Sequence, residues 1–184
     1  GDTETVEVTV EVTRIVEVEV AGEGGAAEAV TFEGGGDTLA AVQSRGILNC
    51  ASNAALPGFA NLEADGTYTG FDSDFCRVVA AAVLGDSEAV EVRPTTATER
   101  FPVLQSGEAD VLIRNTTWTV SRDTSLGFDF QPTTFYDGQG MMVRKDSGIT
   151  TLADFEGGSV CVQAGTTTEK NLADVFRREG INSE

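Results

Sequence analysis

The chain has 184 residues, 40% hydrophobic and 23% charged, enough for one globular domain or one and a fraction. Its formal net charge of -18 argues against a nucleic-acid partner, because phosphate binding needs clustered Lys and Arg. Histidine is absent, which removes Ser-His-Asp and Cys-His triads and every metal site built on imidazole. No metal or other cofactor is expected.

Residues 1–37 differ from the rest. Val and Glu alternate from Thr5 to Val20, and a Gly- and Ala-rich stretch follows. Such alternation is formally a strand pattern. No hairpin turn lies nearby, and a lone strand cannot bury its apolar face. An acidic stalk or linker is the expectation, ending in Gly34-Gly35-Gly36. An edge strand or oligomerising segment is the rival reading.

From Asp37 the pattern becomes α/β. A helix is predicted over Thr38–Arg45, then a strand over Ile47–Cys50 and a Gly-, Pro- and Asn-rich loop over Ala51–Tyr68. Asp72 is placed as the cap of a helix over Ser73–Leu84, with Phe75, Val78, Val79, Ala82 and Val83 on its apolar face and Gly85 ending it. Val90–Arg93 is a strand halted by Pro94. Thr98 is placed as the cap of a helix over Glu99–Ser106, ended by Gly107. Asp110–Ile113 is a buried strand, and further strands are predicted over Phe128–Phe130 and Gly140–Arg144. A second unit then begins, with a short helix over Thr151–Phe155, a strand over Ser159–Gln163 and a helix from about Thr167 to Arg178. The alternation implies a largely parallel sheet with helices on both faces. One βα unit buries too little surface to fold well alone, so the second unit reads as truncated.

The cysteines Cys50, Cys76 and Cys161 fit no zinc or CxxC spacing. They fit either three small buried residues or a Cys50–Cys76 bridge formed in an oxidising compartment.

In open α/β sheets, ligands bind beyond the carboxyl ends of the strands. Three segments fall there: Asn53–Phe59, Arg114–Arg122 and Gln163–Glu169. The second, RNTTWTVSR, is dense in hydrogen-bonding groups and closes on a guanidinium, whose planar fork suits a carboxylate. It fits equally a polar loop capping a short helix, with Arg122 paired to Asp123 or Asp129. The third carries a capping-box pattern in Thr166 and Glu169, explained as well by helix capping as by anion binding.

The run from Glu99 to Lys145, with Tyr68-Thr69-Gly70-Phe71-Asp72-Ser73-Asp74-Phe75, RNTTWT, SRDT, DGQGMMVRK and CVQAGTTTEKNLAD, resembles type II periplasmic amino-acid-binding proteins. The strings are close to the general L-amino-acid-binding subgroup, which serves ABC importers, and the resemblance spans roughly residues 38–180. It implies a two-lobed clamshell: a first lobe over 38–139, then the hinge crossover and the start of a second lobe over 140–184. Tyr136–Gly140 falls where that family crosses between lobes.

Carried over position by position, the resemblance implies that Arg122 holds the α-carboxylate of a free L-amino acid. Thr117 and the Asn115 carbonyl contact carboxylate and ammonium, and Thr167 adds a hydroxyl from the second lobe. Asn53 and Thr166 complete the implied ligand-binding set. Leu56 and Ala97 stand where many relatives have aromatics, implying a roomier pocket of broad specificity. The implied partner is a membrane permease of an ABC importer, met outside the cytoplasm. The Val/Glu-rich stalk resembles spacers behind the lipidated Cys of bacterial lipoproteins. Two other classes fit the same fold: an enzyme of dehydratase or lytic-transglycosylase type using Glu99, Asp123 or Glu169, and a receptor sensor domain.

Overall fold

A computed structural model describes residues 37–182. The expected stalk lies outside the described residues, apart from Asp37, which opens helix α1 (Asp37–Arg45). Strand β1 (Leu48–Ser52) follows, and β2 (Ala55–Leu56), β3 (Ala60–Leu62) and β4 (Tyr68–Thr69) make a small antiparallel sheet. The sequence pattern predicted a loop here, because strands of two or three residues are too short to show a period. Helix α2 (Phe71–Leu84), β5 (Val90–Pro94), α3 (Arg100–Gln105), β6 (Val111–Leu112) and α4 (Val120–Leu126) complete the first unit. A 3-10 helix over Leu152–Phe155 and α5 (Thr167–Glu179) belong to the second.

The main sheet is parallel, in the order β5-β1-β6. The core collects Val42, Leu48, Cys50, Cys76 and Ala80, with Val79, Val83, Val90, Val92, Val111 and Ile113 packed against it. A disulfide joins Cys50 on β1 to Cys76 on α2, with Cα atoms 6.0 Å apart. It fixes α2 to one face of the sheet. Ala51 lies on the opposite face by strand alternation and is equally buried. Helix α3 packs against β1 and β6. Cys161 is a free, exposed thiol, so the reading of three buried cysteines is overturned.

Four expectations need correction. Asp72 does not cap α2. Gly70 precedes the helix with φ 112°, and the Phe59 carbonyl accepts the Asp72 N–H at 2.8 Å, which leaves the Asp72 side chain buried inside the first turn. Val78 and Ala82 are exposed, because the disulfide turns the Cys76–Ala80 stripe to the core instead. Thr98 does not cap α3. The Thr96 hydroxyl accepts from Glu99 N–H at 3.2 Å, and the Glu99 carboxylate accepts from Thr96 N–H at 3.0 Å. Finally, 128–130, 140–144 and 159–163 are not strands, since a strand needs a hydrogen-bonded neighbour and none pairs with them among the described residues.

Candidate ligand-binding site

The strand order reverses at β1, which connects to β5 on one side while β5 returns across it to β6. Beyond the carboxyl ends lie Asn53 after β1, the turn 95–99 after β5, and Arg114–Arg122 after β6. The site is built there.

Arg122 is 9% exposed and sits in the first turn of α4, where Thr119 is the N-cap and its hydroxyl accepts the Arg122 N–H at 3.2 Å. Its guanidinium donates from Nη1 to the Thr117 carbonyl at 2.7 Å and from Nη2 to the Gly165 carbonyl at 3.5 Å. A guanidinium has five N–H donors in a planar fork, so two directed at carbonyls leave donors for an anion. Thr119 capping does accord with the simpler reading of this loop. The pairing of Arg122 with Asp123 or Asp129 does not occur; Asp123 instead accepts from Trp118 Nε1 at 3.3 Å.

Two further arginines, given no role by the sequence pattern, share this place. Arg100 is 2% exposed and donates from Nη1 to the Asn115 carbonyl at 3.2 Å and from Nη2 to the Gly165 carbonyl at 3.4 Å. Arg100 and Arg122 both lie over the Phe101 ring, 4.9 and 5.1 Å from its centroid. Burial, with the positive charges of Arg122 and Arg114 nearby, pushes the Arg100 pKa down to about 10. Arg114 is 8% exposed; burial lowers its pKa and the Asp72 carboxylate partly restores it. Among the described residues none of the three guanidiniums has a carboxylate oxygen within 4 Å.

The remaining expected residues gather around them. Asn115 supplies its carbonyl to Arg100, and its side chain accepts from Asn53 at 3.4 Å. Thr117 and Thr167 bring their hydroxyls to 3.0 Å. Thr166 caps α5, accepting Glu169 N–H at 3.1 Å and donating to the Gln163 carbonyl at 2.7 Å, so its hydroxyl is committed to the helix end. Glu169 does not complete the expected capping box: its carboxylate reaches one residue past the N-cap and accepts Gly165 N–H at 2.9 Å instead of Thr166 N–H. Leu56 is half-buried on β2, and Ala97 is buried beneath the Gly165 turn.

Arg100 carried a readable signal. A positive charge on the first residue of a helix opposes the helix dipole, so its presence there asks for another reason. Arg114 follows directly on an apolar strand, where the sequence gives no sign of burial.

The family profile of the bacterial extracellular solute-binding proteins, family 3, matches residues 48–179. The chain belongs to that family. It is 54% identical over 144 residues to the general L-amino acid-binding periplasmic protein AapJ of Rhizobium johnstonii, which covers 78% of this chain and 42% of that protein. It is 52% identical to the glutamate/glutamine/aspartate/asparagine-binding protein BztA of Rhodobacter capsulatus, over 78% of this chain and 43% of the relative. Among solved structures it is similar to an ABC transporter periplasmic binding protein from Brucella ovis with glutathione bound, at 52% identity and a TM-score of 0.75, covering 80% of this chain and 47% of that one. The chain thus spans less than half the length of these relatives. The type II periplasmic-binding-protein fold is shared with them. No helix among the described residues is long and apolar enough to cross a membrane.

Proposed function

We propose that this member of the family captures a free L-amino acid outside the cytoplasmic membrane and passes it to the permease of an ABC importer. The observation that carries this reading is the cluster of Arg100, Arg114 and Arg122. Each is at least nine-tenths buried, and none is ion-paired among the described residues, in a chain of net charge -18. Burying like charges together is costly without a counter-ion. An α-carboxylate at Arg122 supplies one. The arrangement gathers fixed donors where an anion would sit, which supports binding as the reading. The similarity to AapJ and BztA, named for amino-acid binding, supports the same class of ligand.

In this reading residues 38–139 form the first lobe, and 140–184 form the crossover and the start of the second. Arg122, Thr117 and Asn115 make one wall of the cleft. Thr167 belongs to the other, and Asn53 and Thr166 position their neighbours. Lobe closure would bury the ligand and present a new surface to the permease. Calorimetry with amino acids on the full chain and on Arg122→Ala tests the site. Loss of binding in the variant is expected, and near-native affinity would overturn the assignment. A steady release of a converted product from a bound amino acid would return the enzymatic class.

A further inference from the structure

Helix α3 opens with Arg100 and Phe101 beside the Arg122 pole. The Phe101 ring is half-buried, and two guanidiniums lie over it, Arg100 Cζ at 4.9 Å from the centroid and Arg122 Cζ at 5.1 Å. Phe128 stacks on the same ring, with centroids 5.2 Å apart and planes at 25°. Arg122 lies in the first turn of α4 and Phe128 just past its C-cap Gly127, so one ring meets side chains from both ends of α4. Gln105 Nε2 donates to the Leu126 carbonyl at 3.5 Å and ties the two helices further. Helix α3 in turn packs on β1 and β6, which anchors the ring to the sheet.

The company of the two cations shows what the ring supplies. Among the described residues no carboxylate oxygen lies within 4 Å of Arg100 or Arg122. Their hydrogen-bond partners are neutral: the Thr117 and Gly165 carbonyls for Arg122, and the Asn115 and Gly165 carbonyls with the Thr116 hydroxyl for Arg100. An aromatic face carries partial negative charge, and it attracts a guanidinium most where water is excluded. Arg100 and Arg122 also repel one another, and a ring that attracts both offsets part of that cost. An aliphatic side chain of similar volume would fill this position and still offer no such face. The Nη1 bond to Thr117 fixes one end of the Arg122 fork. The ring beneath restrains its tilt, and a carboxylate that meets a fork already in place loses less freedom on binding.

Resting on the amino-acid-binding reading above, we propose that Phe101 is the positioning residue of the site: its ring, clamped by Phe128, holds the Arg122 guanidinium in place for the α-carboxylate.

Two measurements on the full chain test this. A ring-fluorinated phenylalanine at position 101 keeps the shape of the side chain and weakens its negative face. Urea unfolding is read with and without that replacement, in wild type and in Arg122→Met. Fluorination is expected to raise the unfolding constant about threefold in wild type and clearly less in Arg122→Met. An equal effect in both backgrounds would mean that the ring serves Arg100 alone, and overturns the proposal. Calorimetry with each common L-amino acid then compares wild type with Phe101→Leu. Affinity is expected to fall about tenfold for those that wild type binds. Unchanged affinity overturns the positioning role and leaves amino-acid binding standing. Wild type that binds none of them overturns the underlying reading, and this proposal with it. Should Phe101→Leu not fold, Phe101→Met, flexible and apolar but without a ring, is read in its place.

Discussion

The hydroxyls of Thr117 and Thr167, fifty positions apart, meet at 3.0 Å. Thr117 lies in the loop after β6 and Thr167 opens α5, so this contact joins the two units of the chain across the arginine cluster. The Gly165 carbonyl reinforces it by accepting from both Arg100 and Arg122, and Gln139 adds a bond to the Thr168 carbonyl at 3.1 Å. Groups that grip a ligand in the proposed reading are the same groups that hold the two units together. In that reading, ligand binding and closure form one equilibrium.

Thr167→Val keeps the β-branched shape and removes the hydroxyl. A neutral hydrogen bond contributes on the order of 1 kcal/mol, so amino-acid affinity is expected to fall about fivefold. Isothermal calorimetry reads this directly. Unaltered affinity would mean that the Thr117–Thr167 contact is incidental to binding.

Much of this arrangement was legible in the sequence, for reasons that differ by residue. The Thr166 cap of α5 could be read because capping is local chemistry with a fixed spacing, whereas the Glu169 carboxylate turns to the Gly165 N–H and not to the N-cap. The parallel strands β1 and β5 could be read from apolar runs bounded by Gly and Pro. Arg122 and Thr117 stood out only through resemblance to a family, since an Arg closing a polar loop has an ordinary explanation. Arg114 was placed at the head of a candidate ligand segment, but its burial could not be read, because the Asp72 charge that acts on it comes from 42 positions away, inside the first turn of α2. The failed strands at 140–144 and 159–163 have the opposite cause. Their local pattern is right for strands, but pairing is a non-local property that pattern does not contain.

The Cys50–Cys76 bridge closes 26 positions of chain and joins two residues with no exposure at the centre of the core. Cross-links of this span stabilise by about 3 kcal/mol, largely through the unfolded chain. Cys50→Ala/Cys76→Ala is expected to lose about that much in urea denaturation, and reduction of wild type by a thiol should approach the same value. A loss below about 1 kcal/mol would mean that core packing holds α2 on the sheet without the bridge.

Asp72 makes a prediction about pH. Burial raises its pKa above the ordinary 3.8, and the Arg114 charge offsets only part of that. A carboxyl with a raised folded pKa binds its proton more tightly folded than unfolded, so between the two values stability falls as pH rises. Exposed carboxylates such as Glu63 and Asp154, held low by hydrogen bonds, act in the other direction on acidification. The difference between wild type and Asp72→Asn isolates the buried group. Wild type is expected to lose stability relative to the variant as pH climbs from about 4 through the raised value, and then to run parallel to it. Denaturant titrations across pH 4 to 7 measure this, and a flat difference would show that Asp72 is not desolvated as the structure has it.

Gly165 is where fold and site meet most tightly. Its φ of 75° lies in the left-handed region, and a Cβ there would stand 3.2 Å from Thr98 Cγ2 and 3.6 Å from the Ala97 carbonyl. Its carbonyl is also the shared acceptor of Arg100 and Arg122. Gly165→Ala must strain the turn or push the start of α5 away from the 97–98 backbone. Either outcome moves the carbonyl from the two guanidiniums and carries Thr167 with it. Helix α5 keeps its Thr166 cap, so helicity by circular dichroism should hold while amino-acid affinity falls by about an order of magnitude, the scale of one charge-assisted hydrogen bond. A variant that binds as wild type does would show that the cleft tolerates movement at this turn, and that Arg122 is positioned without the Gly165 carbonyl.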